Sequence, residues 1–282
     1  MGRFWSLLFL MVPILGVGLF VLSIAGTELP GLSLRDHWLP ENINDGGYII
    51  DDLFNFIMYL TGAIFIATGI ALFWFLWKYD AAKNSNPVKF VHGSHTFEVV
   101  WTLLPAATLL FIAIFQMDAW ANHKMRRPIL GPGPDGIEYT ADDELKPAMV
   151  EVTGRQFEWR IRYAGADGKF DTPDDLHTVN DLHVPVDEDI VIAIKSQDVL
   201  HSFFLPNLRL KQDVVPGMKQ FVWFHANRTG TFDIVCAELC GWGHYKMRGQ
   251  ISVESREKFD AWFQDEFKEQ GRTQLEPSED EE

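Results

Sequence analysis

The feature that most constrains this chain is a short segment, residues 236 to 247, that contains both of its cysteines. Cys236 and Cys240 are four positions apart, and His244 and Met247 follow in the same segment. Thiolate, imidazole and thioether groups are soft donors that select copper over hard cations. Because a mononuclear blue-copper site uses one thiolate, the second cysteine favours two copper ions bridged by both sulfurs, an arrangement suited to electron transfer.

Each copper ion in such a centre needs an imidazole, so a second histidine must come from elsewhere in the chain. The best candidate is His201, which lies in a mainly apolar stretch. Three other interpretations compete: a disulfide between Cys236 and Cys240, a structural zinc site, and ordinary core packing of His244 and Met247. A disulfide leaves the histidine and the methionine unexplained, and zinc has little use for a thioether, so the donor set favours copper.

The segment resembles the dinuclear copper (CuA) loop of the cytochrome c oxidase subunit II family. Four further stretches resemble that family: residues 98–102 (EVVWT), 154–159 (GRQFEW), 198–203 (DVLHSF) and 211–217 (KQDVVPG). The resemblance runs from about residue 52 to the helix expected after residue 253. It implies six copper ligands, and all six positions are filled as the family requires: His201, Cys236, the main-chain carbonyl of Glu238, Cys240, His244 and Met247.

The resemblance also implies partners for the chain. Members of the family take electrons from cytochrome c and pass them to the haem of subunit I, where oxygen is reduced to water and protons are pumped. The carboxylate of Glu238 would reach a magnesium ion shared with subunit I. Quinol-oxidising relatives lack the copper ligands, so their presence favours a cytochrome c-type donor. The sequence contains no Cys-x-x-Cys-His motif, so we expect no c-type haem within it.

The charge of the chain narrows the class of partner. Its 282 residues carry a formal net charge of −15 and a pI near 5.0. Such an acidic balance argues against nucleic acid and favours a basic partner. The two cysteines, at one short spacing, do not form a disulfide framework.

Three apolar stretches lie in the first half of the chain. Residues 1–25 form either a signal segment or a first membrane helix, because about 20 apolar residues can span a bilayer. Residues 26–123 are expected to contain a helical hairpin with spans at 53–77 and 97–119. The intervening loop carries Lys78, Lys83 and Lys89 against Asp80, which places it in the cytoplasm. The family orientation agrees, with the copper domain on the periplasmic face of a bacterial inner membrane and the lipid bilayer as a partner.

Glu98 lies at the cytoplasmic start of the second predicted span. One interpretation is an interfacial carboxylate close to water, since ionisable groups near the ends of membrane helices often have no other role. The resemblance implies a second interpretation. The family uses a glutamate at this position as the mouth of a proton channel that leads into subunit I.

Residues 124–147 read as an acidic linker rich in Gly and Pro. One pattern, G-x-D-G-x3-T-x-D-D, occurs in it at residues 133–143 and again at residues 165–175. Asp-Gly pairs make turns, and clustered carboxylates are potential calcium ligands. Neither copy matches the full EF-hand pattern, so we expect solvated acidic loops, with calcium as the alternative.

Residues 148–254 alternate short apolar strands with turn residues, which is typical of a β-sandwich or Greek-key barrel. We expect strands at 149–152, 157–163, 182–186, 190–195, 202–205, 220–224, 231–235 and 250–253. The family resemblance implies a cupredoxin-like barrel that agrees with this pattern. In the last segment, 255–282, Ser255 is expected to cap a helix with apolar residues on one face, and the acidic tail is expected to be disordered.

The route by which electrons reach the copper differs from the family pattern. The family has Gln followed by Trp, an aromatic residue and Trp, and here Phe157 takes the place of the first Trp. Phe157, Trp159 or Trp242 are therefore alternative contact points, and core packing competes for each. Asp198 and Asp213 match family positions that face cytochrome c, although either is also consistent with a solvated surface.

The leading hypothesis is therefore subunit II of a bacterial haem-copper oxidase, the electron-accepting subunit of a multi-subunit, proton-translocating enzyme. A membrane-tethered copper carrier or assembly protein is the alternative, but such a protein would not need Glu98 and the helical hairpin. An enzyme resembling nitrous oxide reductase shares the copper loop but carries a large catalytic domain for which this chain has no room.

Overall fold

A computed structural model of the chain describes residues 2–24, 28–29, 32–33, 39–80, 90, 92–165 and 167–270. The loop lysines at positions 83 and 89 and the acidic tail lie outside these residues. The chain forms two compact units. The first consists of Met1–Pro40 and Asp51–Gln116, and the second of Glu41–Ile50 and Met117–Glu282. From the sequence, residues 41–50 are assigned to the segment of the helical hairpin. In the structure they belong to the same unit as the two five-stranded sheets.

The first unit is built from apolar helices. Helix α1 is Gly2–Ile24, α2 is Gly47–Lys78 and α3 is His95–Phe115. The first turn of α2, at 47–50, and the short helix α4, Met117–Lys124, belong to the second unit. In the described residues, three stretches are long and apolar enough to cross a membrane: Phe4–Ser23, Gly47–Lys78 and His95–Lys124. Helix α1 packs on α2, where Ser6 Oγ donates a hydrogen bond to the carbonyl of Phe73 at 3.2 Å.

The second unit contains the described β-strands from Ile129 onward, whereas the two short strands at 28–29 and 32–33 lie in the first unit. In chain order, the described strands β1 to β14 are Glu28–Leu29, Leu32–Ser33, Ile129–Gly131, Glu144–Leu145, Val150–Arg155, Glu158–Tyr163, Leu176–Val179, Asp181–Pro185, Asp189–Ser196, His201–Leu205, Leu210–Val214, Gln220–His225, Gly230–Cys236 and Arg248–Glu254. Two five-stranded sheets form, in the orders β11-β10-β13-β14-β8 and β12-β9-β5-β6-β7. Apolar residues of both sheets form one buried core, so the predicted class is confirmed: apolar helices followed by a cupredoxin-like β-domain.

Each of the eight predicted strands is present, with ends shifted by a few residues. Within the two five-stranded sheets, β7 and β11 have no counterpart in the prediction. In β11 only Leu210 and Val214 are buried, so the strand offers little alternation to recognise. In β7 only Leu176 is buried, and the strand follows directly after an acidic loop.

An ionic cluster lies on the sheet that contains β5. The carboxylate of Glu151 is 2% exposed and contacts Lys195 at 2.6 Å, Lys219 at 2.9 Å and Arg162. Burial would raise the pKa of Glu151, but these three cations outweigh burial and lower it. The charged form is therefore the one that this fold stabilises.

The two repeated acidic loops adopt matching turns. The carboxylates of Asp142 and Asp143 accept hydrogen bonds from amides of residues 133–140, and those of Asp174 and Asp175 accept equivalent bonds in the second copy. In each copy the threonine hydroxyl donates to the first of the paired aspartates at 2.7 Å. The groups of each loop thus hold its own turn. Asp174 and Asp175 of the second copy are buried, so that loop is not fully solvated as expected.

Helix α5, Arg256–Glu269, completes the second unit. The hydroxyl of Ser255 accepts a hydrogen bond from the Lys258 amide, as predicted for an N-cap. Phe259 and Phe267 are buried, and Trp262 stacks on the ring of His183 at 3.9 Å. The apolar face of this helix therefore packs on the β-domain itself.

Candidate metal centre

Strand pairing brings the two parts of the centre together. Strand β13 ends at Cys236, which pairs with Phe203 in the neighbouring strand β10. Because β10 begins at His201, this histidine lies beside the last residue of β13. The loop after Cys236 then folds back through a 3-10 turn at His244–Lys246 before β14 begins at Arg248. A rigid pair of strands thus fixes one histidine and one cysteine, and the loop supplies the remaining donors.

The two thiols are close together but not bonded. The Sγ atoms of Cys236 and Cys240 are 3.8 Å apart, and both cysteines are free and buried. A disulfide requires about 2.05 Å between its sulfurs, so the structure contradicts the disulfide alternative. The separation leaves room for metal ions between the two sulfurs.

The other donors divide between the two sulfurs. Cys236 Sγ lies 3.9 Å from His201 Nδ1 and 3.3 Å from the carbonyl oxygen of Glu238. Cys240 Sγ lies 3.6 Å from His244 Nδ1 and 3.8 Å from the Sδ atom of Met247. All six residues that the sequence singles out are therefore brought together, with an imidazole beside each thiol.

The centre is shielded from water by the β-domain. His201 and Met247 are completely buried, and each cysteine is 4% exposed. Among the described residues, His201, Cys236 and Cys240 form the one group of at least three His, Cys, Asp or Glu side chains placed to share a metal ion, with donor atoms within 4.8 Å of one another. The soft, sulfur-rich donor set fits copper, and the thioether at Met247 is a donor that zinc sites seldom use.

The metal-free thiols differ in acidity. Burial would raise the pKa of the Cys236 thiol, but His201 and main-chain groups of the loop outweigh burial and lower it to about 6. Burial, together with the negative charge on Cys236, raises the pKa of Cys240 to about 12. The two thiols therefore disfavour losing both protons together, and binding of a metal to both sulfurs must release the proton that remains.

Asp198 holds the His201 ring in place, which the sequence analysis did not anticipate. Its carboxylate accepts hydrogen bonds from His201 Nε2 at 2.8 Å, from the Gln156 amide at 2.8 Å and from the Val199 amide at 2.7 Å. Partial burial would raise the pKa of Asp198, but these hydrogen bonds outweigh burial and lower it. A carboxylate can only accept, so it fixes the proton on Nε2 and leaves Nδ1 free to face the sulfur of Cys236.

The turn between β5 and β6 clamps the copper loop. Gln156 Nε2 donates a hydrogen bond to the Cys240 carbonyl at 2.5 Å. The ring of Phe157 lies so close to Gly241 and Gly243 that a Cβ atom at either position would come within 3.2 Å and 2.5 Å of it, respectively. Gly241 also has a φ of +132°, which other residues rarely adopt. Glycine is therefore required on both sides of Trp242.

The other predicted functional residues occupy separate places. Trp159 is fully buried, and its ring lies edge-on to His201 at 6.0 Å, so it packs behind the centre. Asp213 is exposed on β11, where it pairs with Ser202. Glu98 is exposed in the first turn of α3, 3.9 Å from His95, and belongs to the other unit.

Residues 149–255 match the family described as cytochrome C oxidase subunit II, periplasmic domain, and residues 48–118 match the transmembrane domain of the same subunit. Together these matches cover more than half of the chain.

Individual relatives agree with these matches. Cytochrome c oxidase subunit 2 of Thermostichus vulcanus is 29% identical over 79% of this chain and 77% of its own length. Alternative cytochrome c oxidase subunit 2 of Bradyrhizobium diazoefficiens is 29% identical over 89% of this chain and 91% of its own. A crystal structure of the periplasmic domain of cytochrome oxidase subunit II of Bradyrhizobium japonicum is 28% identical and covers 43% of this chain and 93% of that one, with a TM-score of 0.39.

Proposed function

Because this chain belongs to the cytochrome c oxidase subunit II family, we propose that it holds a dinuclear copper A centre and accepts electrons there for a haem-copper oxidase. The family makes it a membrane protein of an oxidase complex whose β-domain carries a copper centre. The observation that supports two copper ions is the arrangement of the sulfurs. Two free thiols lie 3.8 Å apart, and each has its own imidazole and a further donor.

Each of the six ligand residues has a separate role in such a centre. Two copper ions that share an electron supply one-electron transfer with little change in geometry. The thiols of Cys236 and Cys240 would bridge the ions, and His201, His244, Met247 and the Glu238 carbonyl would complete their coordination. Burial of His201, Met247 and both cysteines by the β-domain holds these ligands rigid and limits the access of water. Rigid, water-free surroundings favour fast electron transfer, because few groups need to move when the charge changes.

The path of electrons into and out of the centre rests on the family resemblance. Electrons would come from cytochrome c or another periplasmic carrier and pass to the haem of subunit I, with oxygen reduced to water and protons pumped. The exposed carboxylate of Asp213 suits docking of a basic donor, and Asp198 adds negative charge beside His201. The family pattern would put Phe157 and Trp159 on the donor side of this path, although Trp159 is fully buried and would act only from behind the surface.

Further roles follow from the same proposal. The Glu238 carboxylate would face subunit I and help to hold a magnesium ion there. Glu98, exposed at the start of α3, would form the mouth of a proton channel into subunit I. In this proposal the β-domain would lie on the periplasmic face of the bacterial inner membrane, with other oxidase subunits as neighbours.

The experiment that tests this function is purification of the native complex from membranes. We expect a haem-bearing subunit to co-purify with the chain, and the complex to oxidise reduced cytochrome c with uptake of oxygen. A chain that carries copper but purifies without haem would instead be a membrane-tethered copper carrier or assembly protein. Replacement of Cys236 by Ser should abolish the shared-electron copper signal, because one bridging sulfur is lost.

A further inference from the structure

Trp242 is the most exposed large apolar side chain of the copper loop. Its side chain is 81% exposed, although it lies only two residues from Cys240 and two from His244. An indole that stays in contact with water does not gain the hydrophobic free energy that burial of so large a side chain would provide. Tryptophan is also one of the three residue types enriched among the side chains that carry most of the binding energy of protein interfaces. An exposed tryptophan beside the metal donors therefore indicates a contact with another molecule.

The loop is built so that Trp242 points outward. Gly241 and Gly243 on either side lie against the ring of Phe157, and a side chain at either position would collide with that ring. The Trp242 ring meets Phe157 edge-on, with centroids 5.2 Å apart and planes at 67°. Phe157 is only partly exposed, so it supports the indole from below and leaves the opposite side of the indole open.

The other aromatic residues near the centre are placed differently. Trp159 is fully buried and cannot touch a partner protein. Tyr245, in the same loop, is 70% exposed, but the one ring contact described for it is with the amino group of Lys246. Among these residues, Trp242 alone combines exposure, an aromatic contact with the supporting turn, and close chain linkage to two metal donors.

We propose that Trp242 is the residue through which this oxidase subunit contacts its electron donor and receives the electron. The proposal rests on the proposed function of the centre. One electron leaves the donor, whose haem iron is oxidised from Fe(II) to Fe(III), and the copper centre is reduced by one electron. The indole shortens the gap that the electron crosses, and no bond is made or broken and no proton moves.

The test uses the purified oxidase complex with Trp242→Ala, Trp242→Leu and Trp242→Phe, and reduced small basic cytochrome c as the donor probe. Stopped-flow absorbance follows reduction of the copper centre under single-turnover conditions. We expect Trp242→Ala to slow this step by about 30-fold, as loss of a central contact residue does. Trp242→Leu should recover part of the binding, seen in KM, but not the rate of electron transfer in the bound complex. Trp242→Phe should recover both in part.

Two controls separate this role from a structural one. The absorption spectrum of the copper centre, and its rate of reduction by a small chemical reductant that needs no docking, should be unchanged in all three variants. Tyr245→Ala removes an exposed aromatic ring from the same loop and should change the donor rate by less than about twofold.

Several outcomes would overturn the proposal. These are a wild-type donor rate in Trp242→Ala, an equal loss in Tyr245→Ala, or a loss of subunit assembly in place of a loss of donor reactivity. Failure of the proposed function itself would look different, because the wild-type complex would then lack a copper centre that cytochrome c can reduce.

Discussion

Replacement of Asp198 by Asn tests how the fold prepares His201 to bind metal. The Asp198 carboxylate receives three hydrogen bonds, from His201 Nε2, the Gln156 amide and the Val199 amide. An amide of the same shape offers one oxygen and one NH2 group. In either orientation its NH2 group faces at least one N–H donor, so at least one hydrogen bond is lost and the negative charge disappears.

The expected loss follows from these contacts. If the NH2 group turns toward His201, the ring is driven to carry its proton on Nδ1, the atom that faces Cys236 Sγ at 3.9 Å. If the oxygen stays toward His201, it accepts more weakly than a carboxylate does, because it is neutral. The Gln156 N–H then faces the NH2 group, which is also a donor, and loses its hydrogen bond. Loss of such a partner behind a metal-bound histidine costs roughly 10- to 100-fold in metal affinity. We therefore expect copper affinity to fall by about 1.4 to 2.8 kcal/mol.

The assay is a competition titration with a chromophoric copper(I) chelator, followed by absorption spectroscopy of the oxidised protein. Asp213→Asn is the matched control. Asp213 is exposed on the neighbouring strand β11, and its side chain forms no described contact with a proposed copper ligand. We expect that variant to bind copper as the wild type does. If Asp198→Asn also binds copper within about twofold of the wild type, the carboxylate does not orient His201 and the reasoning fails.

Three further predictions concern the ligand set, the ionic cluster and the donor. Met247→Leu should keep copper bound but raise the reduction potential of the centre, because the oxidised centre loses a weak ligand. A redox titration measures the potential, and the control Met218→Leu, at an exposed position, should leave it unchanged. Glu151→Gln should lower the free energy of unfolding in a denaturant titration by about 2 kcal/mol, since Arg162 and two partly exposed lysines lose the buried carboxylate that they share. Exposed Asp233→Asn should cost less than about 0.5 kcal/mol. The pKa of Glu151 is lower in the folded protein than its ordinary value of 4.5. Its contribution to the free energy of unfolding is therefore complete above pH 4.5 and should be lost as the pH falls through the folded pKa. If the stability of the Gln variant depends on pH in the same way, this assignment is contradicted. Raised ionic strength should slow oxidation of a basic cytochrome c, and salt-independent steady-state rates would exclude acidic docking.

The sequence was sufficient to propose the ligand set because most of the donors are local. Five of the six lie in one loop whose spacing restricts where they can point, His201 was the best candidate for the second imidazole, and the resemblance supplied the role of the Glu238 carbonyl. The structure adds the reason that His201 reaches the loop, which is the pairing of Phe203 with Cys236 across two strands. Pairing between distant strands depends on the whole sheet and leaves no local signal in the chain.

Other features were hidden because they depend on contacts between distant segments. Asp198 looked like a surface carboxylate, and only the folded turn brings the Gln156 amide and the His201 ring to it. An Asp three residues before a ligand histidine was the one available hint. Hydropathy likewise could not show that Ile43, in a polar segment before a membrane span, is fully buried in the core of the β-domain.

The central claim is that two bridging sulfurs hold two copper ions as one redox unit. Metal analysis and electron paramagnetic resonance of the purified, oxidised protein test it most directly. We predict two copper ions per chain and a hyperfine pattern from one unpaired electron shared equally by two copper nuclei. One copper ion with the hyperfine pattern of a single nucleus, or zinc in its place, would contradict the account.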